Sequence, residues 1–366
     1  MIIGVPSEIK VQEYRVALTP EGVSEFVKNG HDVIIENNAG VGSSISNEEY
    51  IHAGAKIVNF ADEVWKQADL VLKVKEPIEA EYSRLRSKQI LFTYLHLAAS
   101  KSCTDALIKS KITAIAYETV EVEGTLPLLL PMSEVAGRMA TQVGADSLLK
   151  PKGGRGVLLA GVPGVAPGKV VVIGAGVAGL NAAVIAMGMG ADVLVLDKSA
   201  KRLAFIDQVY GGRIKTIMSN TGSIQQAVHT ADLVIGSVLI PGAKAPKLVT
   251  NQDVAKMKNG SVLVDIAIDQ GGCFEDSKPT THENPTFRVH NSVFYCVANM
   301  PGAVPVTSTY ALTNVTLPYA LQIANHGWEQ ALKLNSDLAK GLNVHDGKVT
   351  YKAVAEAHGY EFTPVL

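Results

Sequence analysis

Between Val170 and Ala191 the chain carries no charged residue, a stretch long enough on length alone for a membrane-spanning helix. Its glycines argue otherwise. Gly174, Gly176, Gly179, Gly188 and Gly190 cut the run into a β-branched strand from Val170 to Ile173, a tight turn and a helical segment. A strand buried on both faces of a parallel sheet, and the helix that covers it, are apolar all round and imitate a membrane span. A globular βα unit explains the glycines, and a membrane span does not.

Gly174-Ala175-Gly176-Val177-Ala178-Gly179 has the spacing G-x-G-x-x-G, but with 33 glycines in 366 residues roughly 0.3 chance matches are expected, so spacing alone is weak. Context strengthens it. The motif follows a predicted strand, opens a predicted helix from Val177 to Met189, and precedes a second strand that ends in Asp197. Asp197 lies 18 residues past Gly179, close to the spacing of the acid that binds an adenosine ribose in dinucleotide folds. The glycines divide the work: Gly174 permits the turn, Gly176 lets backbone approach a pyrophosphate, and Gly179 lets helix and strand pack closely. The helix N-terminus then faces the phosphates. The plain alternative is a glycine-rich packing turn beside a solvated aspartate.

The rest of the chain places this unit in a larger plan. Its 366 residues suggest two domains, and 47% apolar against 19% charged residues suits globular cores. Short apolar runs alternate with helical stretches, which predicts α/β architecture with parallel sheets. Predicted strands are 2–5, 33–36, 56–58, 70–74, 90–94 and 114–117, then others near Val170, Val193, Ile214, Leu233 and Val262. Thr19-Pro20-Glu21 reads as a helix start that Gly30 stops, and Ser46 to Glu49 as a capping box. Pro and Gly around 127–167, flanking a helix over about 133–149, mark a domain boundary. A long helix is expected over about 308–334, with a kink at Pro318. The expected division is 1–130, an inserted nucleotide-binding domain 131–305, and 306–366 returning to the first.

A formal net charge of −2 gives no field for nucleic acid or an anionic membrane. Cys103, Cys273 and Cys296 are far apart, without Cys-x-x-Cys spacing, and Met1 to Lys10 shows no basic leader before an apolar stretch. A reducing cytoplasm, with no metal centre, is the expectation.

Polar residues just past strand ends are the candidates for chemistry, because ligands of parallel α/β sheets bind at that rim. In the first domain these are Arg15, Lys75 and His96, together a carboxylate site with a titratable group. Singly, each has a structural alternative: a surface charge, a solvated strand end, a core histidine. In the second, Asp269 stands beyond the strand 261–266, and its alternative is a turn-capping aspartate. No nucleophile elbow, Walker loop or His-x-x-x-His helix is present. The isolated His282 and His290 read as structural, and Leu312, Val315, Tyr319 and Ile323 of the long helix as core.

The whole chain resembles the alanine dehydrogenase and transhydrogenase family. The resemblance rests on residues 2–6 and 15–20, Lys73 to Pro77, Tyr94 to Leu97, Met132 to Gly144, Gly161 to Val165, the glycine motif, Asp265 to Gly272, and Asn299 to Pro305. It implies two Rossmann-like domains and NAD-dependent deamination of L-alanine to pyruvate and ammonium. It implies further that Arg15 and Lys75 bind the substrate carboxylate, that His96 is the acid/base and that Asp269 is the second catalytic group. Cofactor contacts would come from Ser133, Val177, Ala178, Asp197, Arg202, Ser219, Val238, Leu239, Ile266, Ala267, Ile268, Asp269, Val297, Ala298, Asn299 and Met300. Lys278 stands where relatives can use an arginine. A homo-hexamer is implied as well. Two other readings share the plan: the NAD(H)-binding subunit of a proton-pumping transhydrogenase, and a non-catalytic NAD-binding protein. The second leaves Arg15, Lys75, His96 and Asp269 without a task.

Overall fold

A computed structural model describes residues 1–238 and 245–364. The chain divides into two compact units, one made of 1–132 and 302–366, the other of 133–301.

The first unit contains β1 (Ile2–Val5), β2 (Asp32–Glu36), β3 (Lys56–Val58), β4 (Leu70–Leu72), β5 (Ile90–Thr93) and β6 (Thr113–Ala116). The second contains β7 (Lys169–Ile173), β8 (Asp192–Asp197), β9 (Ile214–Met218), β10 (Leu233–Gly236), β11 (Val262–Asp265), β12 (Thr286–Val289) and β13 (Ser292–Tyr295). Late in the chain, β14 (Leu342–His345) and β15 (Lys348–Val349) complete the first sheet.

The first sheet runs β15-β14-β6-β5-β4-β1-β2-β3 and the second β12-β13-β11-β10-β7-β8-β9. Within each, six parallel strands follow the doubly wound order 3-2-1-4-5-6. Strands β4, β5, β6, β10, β11 and β13 are buried at every position, as strands inside a sheet covered on both faces are. Trp65, Leu91, Leu107 and Val344 belong to the first core, and Val171, Leu196, Phe274 and Phe294 to the second.

Local signals act as the sequence suggests. Thr19 accepts a hydrogen bond from the Gly22 amide at the start of the helix Pro20–Lys28, and Ser46 with Glu49 forms a reciprocal capping box. The charge-free run is the strand β7, a turn and the helix Val177–Gly188. Among the described residues no helix is long and apolar enough to cross a membrane.

Three expectations need correcting. β4 spans Leu70–Leu72, shorter than the expected 70–74, although the Lys73 amide still bonds to the Phe92 carbonyl at 3.3 Å. The helix expected over 308–334 is two helices, Pro305–His326 and Trp328–Leu334; the chain continues helically through Pro318 and breaks at Gly327, whose φ is +74°. Strands β12 to β15 have no counterpart in the sequence reading.

Candidate functional site

In the second unit the candidate residues follow the C-terminal ends of successive strands: the glycine motif after β7, Asp197 ending β8, Ser219 after β9, Val238 after β10, Ile266 to Asp269 after β11, and Val297 to Met300 after β13. The strand order reverses between β7 and β10, the place where an open parallel sheet leaves a crevice for ligands.

The three motif glycines are required for different reasons. Gly174 has φ of +105°, the left-handed region that side chains avoid. A Cβ on Gly179 would lie 1.9 Å from the Gly174 carbonyl oxygen and 2.4 Å from Ser237 Oγ, so helix and turn touch through backbone there. At Gly176 the same Cβ would meet just Arg202 Nη1, at 4.0 Å. That open side faces the start of the helix Val177–Gly188, and a phosphate fits both the space and the unpaired helix amides.

Asp197 accepts hydrogen bonds from the Ala175 amide at 2.6 Å and the Ser199 amide at 2.7 Å. Its carboxylate therefore ties the glycine turn to the following helix, with Arg202 Nη1 3.9 Å away. A carboxylate offers about four acceptor directions, so these two bonds leave capacity for ribose hydroxyls.

Asp269 is exposed on the single turn Ile268–Gln270, which the left-handed Gly271 ends. Ile266, Ala267 and Ile268 lead into it, and Ala267 and Ile268 are buried. Asn299 has a left-handed backbone, with φ of +62°. Two candidates do not directly follow a strand of this sheet. Ser133 sits on the helix Leu130–Ser147, and Lys278 holds its ammonium 4.6 Å over the Phe287 ring. Leu239 falls outside the described residues.

In the first unit Arg15, Lys75 and His96 follow β1, β4 and β5, flanking the corresponding reversal between β1 and β4. Arg15 is no surface charge: it is 2% exposed and grips Glu13 through two parallel bonds, Nε to Oε1 at 2.6 Å and Nη2 to Oε2 at 2.5 Å. Its Nη1 donates to Met132 Sδ at 3.1 Å. Burial opposes the guanidinium charge, but the Glu13 pair outweighs it and raises the proton affinity.

Behind Lys75 lies a buried ion cluster that the sequence reading missed. Lys73 Nζ bonds to Glu8 at 3.1 Å and Glu81 at 3.0 Å, all three nearly inaccessible. Glu8 also accepts the Val74 amide at 2.6 Å, fixing the backbone next to Lys75. Burial raises the Glu8 pKa, and Glu13 and Glu81 add to the rise. Lys73 also moves up, since its two carboxylates outweigh its own desolvation. Lys75 is partly buried, and its carbonyl accepts the Thr93 hydroxyl at 3.1 Å.

His96 is half-exposed and has a left-handed backbone, φ +47°. Glu118 holds that conformation, accepting the Leu95 amide at 3.2 Å and the His96 amide at 2.6 Å. The same carboxylate lies 3.9 Å from His96 Nδ1. Glu118 follows β6 and offers no sequence signal, because its partners are some twenty residues earlier. His282 and His290 bond to the Asn299 carbonyl and the Asn251 side chain, respectively. Among the described residues no group of three His, Cys, Asp or Glu side chains could hold a metal.

Residues 4–136 match the family model described as alanine dehydrogenase/PNT, N-terminal domain, and residues 140–352 the C-terminal domain of the same description. The alanine dehydrogenase of Mycolicibacterium smegmatis is 63% identical over 364 residues, covering 99% of this chain and 98% of that one. That of Bacillus subtilis is 59% identical, covering 100% and 96%. A solved L-alanine dehydrogenase superposes with a TM-score of 0.96 at 50% identity, covering 98% of this chain and 99% of that one. A transhydrogenase from Sinorhizobium meliloti superposes with a TM-score of 0.81 at 26% identity, covering 96% and 100%.

Proposed function

The chain belongs to the alanine dehydrogenase/PNT family, and from that membership we propose that it catalyses the reversible NAD-dependent oxidative deamination of L-alanine to pyruvate and ammonium. The observation that carries this reading is the likeness to alanine dehydrogenases along the whole chain, 63% identity against 26% for the transhydrogenase.

The glycine motif would hold the NAD pyrophosphate, Asp197 its ribose, and Ser219, Val238, Ile266 to Asp269 and Val297 to Met300 the remainder. When bound, NAD supplies the hydride acceptor. Arg15 and Lys75 bind the substrate carboxylate; a guanidinium held in one plane by Glu13 loses little freedom on doing so. His96 takes a proton from the substrate amine or the attacking water, acting as general base. Asp269 favours the cationic iminium and orients the water. A pure hydride relay would need neither His96 nor the Arg15 site.

A cytoplasmic location and a homo-hexamer belong to the same proposal, supported by three free, buried cysteines and by the family resemblance. The test is NADH formation, followed at its absorbance band, from NAD and a panel of amino acids. Turnover with L-alanine foremost is the expected result, and no turnover with it overturns the reading.

A further inference from the structure

We propose that Asp265 is the positioning residue of Asp269: its carboxylate closes the loop that carries Asp269 and thereby sets where that group stands. The proposal rests on the assignment of Asp269 to the chemistry. Asp265 ends β11 with no exposed surface. Its Oδ1 accepts the Ala267 amide at 3.1 Å. Its Oδ2 accepts the Cys273 amide at 2.7 Å, the Phe274 amide at 3.3 Å and the Ser277 hydroxyl at 2.5 Å.

The two oxygens thus take opposite ends of one loop. Ala267 precedes the turn Ile268–Gln270, and Cys273 and Phe274 follow it. Inside, the Gln270 and Gly272 amides both return to the Ala267 carbonyl, at 2.9 and 3.0 Å. Asp269 projects from this ring, exposed while the carboxylate beneath it is buried. Gly272 carries an independent mark of the same arrangement. Its φ is +78°, and a Cβ there would lie 2.6 Å from Asp265 Oδ2. The loop has given up a side chain where the carboxylate passes.

Asp265→Asn keeps the shape but turns one acceptor into a donor. The asparagine oxygen serves the crowded Cys273 side, and its amide then faces the Ala267 N–H, opening that end of the loop. With saturating L-alanine and NAD, D265N should lower kcat about 10- to 100-fold, the cost of displacing a reacting group by an ångström or less. The distinguishing readout is the double variant: in a D269N background, D265N should change kcat by less than about twofold, since it acts through the group already removed.

Losses that multiply in the double variant, or wild-type kcat in D265N, overturn the proposal. Wild-type kcat in D269N instead overturns the assignment of Asp269. Thermal unfolding identifies a D265N protein that does not fold. Ser277→Ala, which removes one donor, then takes its place; it should lower kcat about three- to tenfold, again with no further loss in D269N. Wild-type kcat in S277A, or a multiplying loss, overturns the proposal equally.

Discussion

The imidazole of His96 lies parallel to the ring of Tyr94, with 9° between their planes and 5.8 Å between their centres. Tyr94 is itself fixed, its hydroxyl donating to the Leu128 carbonyl at 2.6 Å. One side of the histidine therefore rests on a rigid aromatic, while Glu118 grips its backbone.

His96 also occupies a left-handed conformation, which costs a side-chain-bearing residue roughly 1–2 kcal/mol. His96→Ala and His96→Gly should both lose about 10²- to 10⁴-fold in kcat. The glycine variant should nonetheless be more stable than the alanine variant by about 1 kcal/mol. Urea unfolding of the pair checks this; equal stabilities would show that the backbone carries no strain, and near wild-type kcat would remove His96 from the chemistry.

Gly176 and Gly179 should respond oppositely to a methyl group. Gly176→Ala has room, so its unfolding midpoint should stay near wild type while NADH binds about tenfold or more weakly. Gly179→Ala drives Cβ into the Gly174 carbonyl and should cost about 1–3 kcal/mol of stability. Fluorescence titration and thermal unfolding separate the two effects.

NAD should be preferred to NADP, because a 2′-phosphate would meet the Asp197 carboxylate. Asp197→Ala should narrow that preference in kcat/KM. It should also weaken both cofactors, since the Ala175 and Ser199 amides lose their acceptor. Equal kcat/KM for NAD and NADP in the wild type would take the ribose role away from Asp197.

Arg15→Lys keeps the charge but cannot reproduce the two-bond grip on buried Glu13. KM for pyruvate should rise, and stability should fall by about 1–3 kcal/mol as Glu13 loses a partner. Steady-state kinetics in the aminating direction measure the first effect; an unchanged KM places Arg15 outside the site.

Burial pushes the thiols of Cys103, Cys273 and Cys296 up to about 12. They are thus protonated at pH 8, where the reactive thiolate is scarce. A thiol reagent at pH 8 should leave the native protein unmodified over the time in which the urea-unfolded chain reacts at all three positions. Rapid labelling of the native protein would contradict this.

What the sequence reveals about this molecule depends on how locally each signal is encoded. Strands inside a parallel sheet are buried on both sides, so β1, β4 and β7 are visible as apolar runs between turn residues, and the rim that follows them is visible too. β12 and β13 have a weaker signature, a two-residue connection at His290-Asn291 with φ of +49° at His290. β14 takes its meaning from pairing with distant β6. Arg15, Lys75, His96 and Asp269 can be singled out by position, but their supports cannot. Glu13, Glu118 and Asp265 are ordinary acidic residues until the fold brings amides or a guanidinium to them, and Lys73 passes for a strand residue until Glu8 and Glu81 are seen around it.

The pairing of β14 with β6, Leu342 opposite Ile115 and Val344 opposite Ala114, sets an order of events on the ribosome. Residues 133–301 form a unit of unbroken chain, which can fold as soon as it has emerged. The β6 edge must wait until β14 has been made, roughly ten to fifty seconds at usual elongation rates. During that interval an apolar strand stands at an open sheet edge, the situation in which a nascent chain is most exposed to wrong pairing with its neighbours. The synthesis of β14 therefore governs when β6 becomes safe.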